Sequence, residues 1–449
     1  MEESVEIGMS LTTREKVRKL QRALHAKAKG SHSYRFYALY DKIYRADILR
    51  EAYRRCRSNG GAAGVDGVWF DEIAKYGAEK WLDELAQELR ERRYRPQAVR
   101  REYIAKPNGK QRPLGIPTVR DRVAQTAAVL VLGPIFEADL QPEQYAYRPK
   151  RRAQDAVRHV HKLLNTGHRK VIDADLSGYF DSIPHHELLK CVARRVSDGA
   201  MLKLIKMWLQ MPVEEEDRKG RKHRRTDNKD GGRGTPQGAP ISPLLANVYM
   251  RRFVLGWKVL GNEKRYEARI VNYADDFVIC CRGNAEHAMA AMRRMMTKLR
   301  LTVNEEKTRQ CRIPEDSFDF LGYTIGRCYS TKTGKSYIGT RPSRQKIQRI
   351  CREISEMTSR RWLFKDVREL VDEINRITIG WSNYFYLGPV SKAYRAVDNH
   401  TRYRLRQWLR KKHKVAGKGT SRFPDEYLHG KLKLERLELR TRNFLWAKA

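Results

Sequence analysis

The sequence predicts an α+β fold in which an antiparallel sheet is backed by helices and followed by a purely helical C-terminal part. Three observations carry this. Residues 269–272 and 277–281 are short runs rich in β-branched and aromatic side chains, two strands of a tight hairpin around Tyr273-Ala274-Asp275-Asp276. Between 169 and 325 the order strand, helix, helix, hairpin, helix, strand suits a split βαβ arrangement. Beyond residue 340 apolar side chains recur at helical spacing, as in Ile347, Ile350, Ile354 and Met357.

At 449 residues the chain is long enough for several domains with real cores, and 41% hydrophobic residues support folding. Lys and Arg number 92 against 53 Asp and Glu, a formal charge of +39. Such an excess repels itself unless a polyanion neutralises it, so nucleic acid is the expected partner. A membrane is not expected, because no run of 18 apolar residues and no lipidation or signal motif is visible. The seven cysteines show no CxxC pair and no disulfide-like spacing, which fits a reduced cytosol and not a zinc finger.

Taken in order, the first 60 residues are basic and read as helices. Val17, Leu20 and Leu24 share one face of the first, and a second helical run covers 34–57. The glycine-rich stretch 60–67 breaks that run, and a third helix is expected over 79–92. A hairpin follows, with 102–106 and 110–114 flanking Pro107-Asn108-Gly109, since Asn-Gly is the strongest short-range hairpin signal. Lys106 and Arg112 stand on its two arms. They are either ordinary surface charges or a pair that closes over a triphosphate, Arg as a fork and Lys as a point charge. An apolar helix is expected over 123–136.

In the strand at 169–175, Val171, Asp173 and Asp175 alternate with Ile172, Ala174 and Leu176. A carboxylate at the end of an otherwise apolar strand is costly to bury unless paired or metal-bound, so Asp175 is a third carboxylate delivered to a site. Adjacent carboxylates at a rigid turn repel unless a cation lies between them, and hard oxygen ligands suit Mg²⁺. As a solvated turn, the same residues would need no ion. Residues 214–234 read as a charged loop without periodicity, ending in Gly234-Thr235-Pro236-Gln237-Gly238 before a helix at 244–253. Asn284 caps a helix that turns Met289, Met292, Met296 and Leu299 inward, and 318–325 reads as one further strand.

These blocks resemble the reverse transcriptases encoded by group II introns, the intron maturases, over nearly the whole chain. The blocks are Asp175 with its strand, Thr235-Pro236-Gln237-Gly238, Tyr273-Ala274-Asp275-Asp276, 304–308 and Phe320-Leu321-Gly322-Tyr323. They occur in the family's order. The resemblance implies a right-hand polymerase, with fingers and palm followed by an α-helical thumb/maturase domain. It divides the chain into a basic helical extension (1–86), fingers and palm (87–326), thumb/maturase domain (327–412) and a basic tail (413–449). Asp175, Asp275 and Asp276 are then the catalytic, metal-binding residues, holding two Mg²⁺ with Mn²⁺ as a substitute. Lys106, Arg112, Phe180, Gln237 and Lys307 are the expected nucleotide-binding residues. The Phe180 ring would collide with a ribose 2′-OH, which favours dNTPs. Lys307 is either a proton donor to pyrophosphate or a solvated surface lysine.

In the C-terminal part, Gly380-Trp381-Ser382-Asn383-Tyr384-Phe385 resembles the maturase motif, and Arg402, Arg406 and Arg410 line one helical flank. In this family such arginines track duplex phosphates; a solvated basic face is the other reading. From Thr401 onward there are 15 basic and 4 acidic residues, an RNA-binding composition. The chain stops at Trp446-Ala447-Lys448-Ala449 without the paired Cys and His of the family's endonuclease, so a shorter form priming on nicked or replicating DNA is expected. The implied partners are group II intron RNA in a ribonucleoprotein, an RNA template with DNA primer, dNTPs and target DNA. The implied place is the bacterial cytoplasm, and the nucleoid when on DNA. A domesticated enzyme of defence or repair and a splicing-only RNA-binding maturase remain as alternatives; a viral RNA replicase is disfavoured by Phe180 and Ala274.

Overall fold

The computed structural model describes residues 2–105, 109, 111–217, 219–330 and 332–441. Its strands are β1 (Val99–Ala105), β2 (Gln111–Ile116), β3 (Lys170–Ala174), β4 (Val213–Glu216), β5 (Lys222–Arg225) and β6 (Ala268–Tyr273), followed by β7 (Asp276–Cys281), β8 (Arg309–Arg312), β9 (Phe318–Phe320), β10 (Tyr323–Tyr329) and β11 (Ser336–Pro342). They form three sheets of order β2-β1-β4-β5, β6-β7-β3-β8 and β11-β10-β9.

The second sheet is the centre of the molecule, and every pairing in it is antiparallel. On β3, Ile172 and Ala174 enter one core together with Leu176, whereas Val171 enters another on the opposite face. A strand covered on both faces has little solvated side, so a charged side chain lies near the strand end or is paired, as Asp173 is with Arg309. The first core holds the helices Val119–Glu137, Ser242–Val259 and Ala285–Lys298. Asn284 caps the last of these by accepting from His287 N, and Met289, Met292 and Met296 are buried. The second core holds the helix Ala153–Asn165 and the β9–β11 sheet.

The N-terminal helix Glu2–Gly30 lies on the helix Val119–Glu137, where Gln21 Nε2 donates to Leu130 O at 2.9 Å. Where it ends, the chain meets the buried Arg195, which donates to the carbonyls of Ala28 in the last turn and of Ser31 and His32 just beyond it, at 2.5, 2.9 and 2.6 Å. A guanidinium there satisfies carbonyls that have no partner inside the helix.

Three local expectations are corrected. The helix expected over 34–57 is broken into Tyr40–Ile43 and Ala46–Asn59. Phe36 bridges to Val196, and Asp198 Oδ2 accepts from Leu39 N and Tyr40 N at 2.8 Å, ties no helix could make. The segment read as one strand over 318–325 is the hairpin β9–β10, because Leu321 and Gly322 have φ of 51° and 82°. The charged loop at 214–234 contains β4 and β5. Their ladder is held by Glu214 with Lys222 and Arg224 and by Glu215 with Arg225, in place of an apolar pattern.

The helices Arg344–Met357, Val367–Tyr384 and Ser391–Lys412 form the C-terminal bundle. Residues 413–441 fold back on it, burying Phe423, Leu428, Leu434 and Leu437. All seven cysteines are free thiols. Among the described residues no helix is long and apolar enough to cross a membrane.

Candidate active site

The site forms where β3 ends beside the β6–β7 hairpin. The register pairs Ala174 with Phe277, so the next step along the strands sets Asp175 alongside Asp276. Tyr273 pairs with Asp276, leaving Ala274-Asp275 as a two-residue turn. Ala274 takes a φ of 58°, which costs a non-glycine residue conformational energy and has to be imposed by its surroundings. Asn272 imposes it. Its Nδ2 donates to Ala274 O at 2.8 Å, while its own backbone pairs with Glu143 O and Tyr145 N at 2.9 Å each. The buried Asn272 therefore fixes the turn that carries Asp275.

Asp175 is held from the segment after the helix Ala285–Lys298. Its Oδ2 accepts from Lys307 Nζ at 2.7 Å and from Asn304 Nδ2 at 3.1 Å, and its carbonyl accepts from Asn304 N at 2.9 Å. Asp173, two residues earlier on the same face, faces Arg309 at 3.6 Å.

The electrostatics follow from this crowding. Removal from water, then the charges of Asp275, Asp175 and Asp173, push Asp276 up to about 7. Its surface remains open to solvent, so a cation can reach it. Burial raises Asp275 above the ordinary carboxylate range, with Asp175 adding to it and Arg112 and Lys307 opposing. Burial likewise lifts Asp173 to about 6. The hydrogen bond to Asp175 raises Lys307. Carboxylates that repel one another into binding protons are a hard-oxygen donor set short of positive charge, and a divalent cation suits them. Among the described residues no three His, Cys, Asp or Glu side chains already converge at ligand spacing. Lys307 and Asn304 engage Asp175 instead.

The other expected residues divide into two groups. Arg112 on β2 donates through Nε to Gln237 Oε1 at 3.2 Å, and it lies within Coulomb reach of Asp275. Gln237 belongs to the strap 235–238, which is tied at one end by Thr235 N to Phe180 O at 2.7 Å and at the other by Gly115 N to Gln237 O at 2.6 Å. Gly238 is required there: its φ is 112°, and a Cβ would stand 2.6 Å from Gly115 O. Phe180 lies under the strap, 7% exposed and edge-on to Tyr179. Lys106 lies outside the described residues, as does 442–449 with Trp446. Arg402, Arg406 and Arg410 are not brought to this site. Arg402 and Arg406 both pair with Asp425, and Arg410 Nη1 donates to Gly417 O at 2.6 Å.

Sequence reasoning did not single out Asn272, Asp181 or Tyr147. Tyr147 is left-handed (φ 54°), and removal from water raises its hydroxyl, with Asp275, Tyr273 and Asp276 adding to this and Arg112 opposing. The signal available was the dense aromatic and basic run Tyr145-Ala146-Tyr147-Arg148-Pro149 after an apolar helix.

A palm sheet that offers carboxylates from a strand end and a hairpin turn, beside a hairpin whose Arg112 lies within Coulomb reach of Asp275, is that of a template-dependent nucleotide polymerase. Residues 104–325 match the family "Reverse transcriptase (RNA-dependent DNA polymerase)", and 347–423 match "Group II intron, maturase-specific domain". The chain is 33% identical over 351 residues to "Protein YkfC" of Escherichia coli, covering 69% of this chain and 88% of that one. It is 30% identical over 352 residues to "Group II intron-encoded protein LtrA" of Lactococcus lactis, covering 65% of this chain and 57% of that one. A solved chain of a partial Cas6-RT-Cas1–Cas2 complex aligns at a TM-score of 0.35 and 22% identity, covering 58% of this chain and 41% of that one. The protein belongs to the group II intron reverse transcriptase and maturase family, and it is an RNA-directed DNA polymerase that depends on divalent metal.

Proposed function

We propose that the protein copies RNA into cDNA from dNTPs and a DNA primer, as part of a group II intron ribonucleoprotein whose splicing and insertion into target DNA it assists. The meeting of Asp175, Asp275 and Asp276 at one end of the palm sheet carries this reading. The primer 3′-hydroxyl attacks the α-phosphorus of the bound dNTP. One P–O bond forms as the bond to pyrophosphate breaks. Asp175 and Asp275 would hold two Mg²⁺, for which Mn²⁺ can substitute, and Asp276 contributes more weakly. When bound, such ions stabilise the attacking and leaving oxygens.

The chain's own side chains do the rest. Arg112, with Lys106 on the same hairpin, holds the β- and γ-phosphates. Gln237, on the strap, accepts from that arginine. The Phe180 ring supports the sugar and excludes a ribose 2′-OH. Lys307, already hydrogen-bonded at the carboxylate cluster, donates a proton to the departing pyrophosphate. In the thumb, Arg402, Arg406 and Arg410 face duplex phosphates, the first two also pairing with Asp425. The protein acts in the bacterial cytoplasm, and at the nucleoid when DNA is bound.

Primer extension on an RNA template with dNTPs and Mg²⁺ tests this, comparing wild type with Asp275→Ala/Asp276→Ala and measuring RNA binding by both. Extension by wild type alone, with equal binding, is expected. Failure of wild type to extend, with binding intact, would leave an RNA-binding maturase whose palm is a scaffold. A wild-type preference for ribonucleotides would remove the role of Phe180.

A further inference from the structure

The Gln237 amide stands between two groups of opposite hydrogen-bonding character. On one side Arg112 Nε donates to Oε1 at 3.2 Å; on the other Nε2 donates to Asp181 Oδ2 at 2.9 Å. A guanidinium only donates and a carboxylate only accepts. The amide therefore has one orientation that satisfies both neighbours, and the flipped one would set oxygen against oxygen and N–H against N–H. The three residues come from three separate pieces of chain. Arg112 lies on β2, Gln237 on the strap, and Asp181 in the short helix Tyr179–Ser182 directly after Phe180. The strap is pinned by backbone bonds to Phe180 O and from Gly115 N, so both ends of the relay are anchored.

We propose that Asp181 is a positioning residue for the incoming nucleotide: by fixing the Gln237 amide it sets the plane of the Arg112 guanidinium, and so sets how that fork meets the triphosphate. This rests on the assignment of Arg112 and Gln237 to the nucleotide end of the site. Asp181 itself touches neither substrate nor the reacting atoms. It links the palm residue next to the sugar-side Phe180 to the fingers residue on the phosphate side. A misoriented amide presents its N–H groups to Arg112, and the fork turns away. Nucleotide binding weakens while the carboxylate cluster that performs the transfer is unchanged.

The test is steady-state extension with dNTP varied, on the full-length chain, for Asp181→Ala, Gln237→Glu and the double variant Asp181→Asn/Gln237→Glu. Asp181→Ala should raise the KM for dNTP by about 10-fold, the range of one charged hydrogen bond, with kcat changed less than about 3-fold. Gln237→Glu sets two carboxylates face to face and should raise KM similarly. Asp181→Asn should rescue Gln237→Glu to within about 3-fold of wild type, because an asparagine N–H then donates to Glu while Arg112 still does. A merely structural role for Asp181 does not produce that rescue. The inference is overturned if Asp181→Ala leaves KM unchanged, or if the double variant is no better than Gln237→Glu. Thermal melts identify unfolded variants, and if Asp181→Ala fails to fold, the Gln237→Glu rescue decides alone. Arg112→Ala distinguishes the underlying assignment. If it leaves KM unaltered, Arg112 does not hold the nucleotide, whatever Asp181 does.

Discussion

Lys307 Nζ lies 2.7 Å from Oδ2 of Asp175, so the ammonium stands on the same carboxylate oxygen that accepts from Asn304. It brings one positive charge to a cluster in which Asp175, Asp275 and Asp276 otherwise repel one another. A divalent ion held by Asp175, as proposed, would compete with that amine.

Lys307→Met removes the competitor and leaves the carboxylates without a counter-charge. The metal-free variant should melt below wild type. Its Tm should rise more on adding MgCl₂, because the ion no longer displaces a resident cation. Thermal melts across a MgCl₂ series check this. Equal Mg²⁺-induced shifts in the two proteins would mean that the ion binds without disturbing Lys307.

The raised carboxyls give a pH prediction with a definite sign. Asp276 is pushed up to about 7 in the folded chain, whereas an unfolded Asp titrates near about 3.9. The folded state holds this proton more tightly, so the group favours folding fully below about pH 4 and loses that contribution as pH rises through about 7. In metal-free buffer, wild type should therefore lose Tm relative to Asp276→Asn between about pH 5 and pH 8, and be the less stable of the two at the upper end. Mg²⁺ favours the ionised carboxylates and should narrow the difference. A constant gap between the proteins across this range would show that Asp276 is not perturbed.

Asp425 receives both Arg402 and Arg406, the latter also donating through Nε to Phe423 O at 2.8 Å. This acidic residue thus fastens residues 413–441 to the helix Ser391–Lys412. Asp425→Ala should leave two guanidiniums without their counter-ion and loosen the segment. Limited trypsin digestion should then cut after Lys418 and Arg422 several-fold faster, with RNA affinity unchanged or higher. Unaltered digestion would mean that the apolar contacts of Phe423 and Leu428 hold the segment alone.

The sequence made the proposed site carboxylates Asp175, Asp275 and Asp276 legible because a hairpin and a strand end leave distinct local patterns: alternation on β3, and β-branched runs on either side of Asp275-Asp276. The fold class followed from the same runs. What stayed hidden has no local signature. The β4–β5 ladder is held by charge pairs, which carry no hydrophobic period. The break in the helix expected over 34–57 depends on Asp198, far along the chain. Asn272 looks like an ordinary strand residue until its amide is seen to reach Ala274 O, and the Gln237–Asp181 contact spans 56 positions. The partners of Arg402 and Arg406 were unreadable for the same reason. A basic stripe on a helix shows which way it faces but not what meets it.

The aromatic segment 380–385 joins the C-terminal helices to the palm, which leads to the last prediction. Tyr384 Oη donates to Leu321 O at 3.0 Å, Tyr323 donates to Tyr384 O, and the two rings stack with centroids 6.1 Å apart. Leu321 and Gly322 form the tight β9–β10 turn, and Phe385 closes on it so nearly that a Cβ on Gly322 would lie 3.2 Å from its ring. Burial, then the charges of Tyr273 and Asp276, push the Tyr384 hydroxyl up to about 12, so this residue of the maturase helix lies within electrostatic reach of the Asp275-Asp276 hairpin. Tyr384→Phe deletes one hydroxyl and leaves the Leu321 carbonyl unsatisfied, at a cost of about 1 kcal/mol. On a chain of this size that lowers Tm by no more than about 2 °C. The effect on primer extension should be larger. Loosening a turn beside the Asp275-Asp276 hairpin should raise the KM for primer–template several-fold, with kcat for a bound duplex less affected. If the maturase helices worked independently of the palm, Tyr384→Phe would alter intron RNA binding and leave extension untouched. Steady-state extension with primer–template varied, beside a binding assay on the same RNA, separates the two.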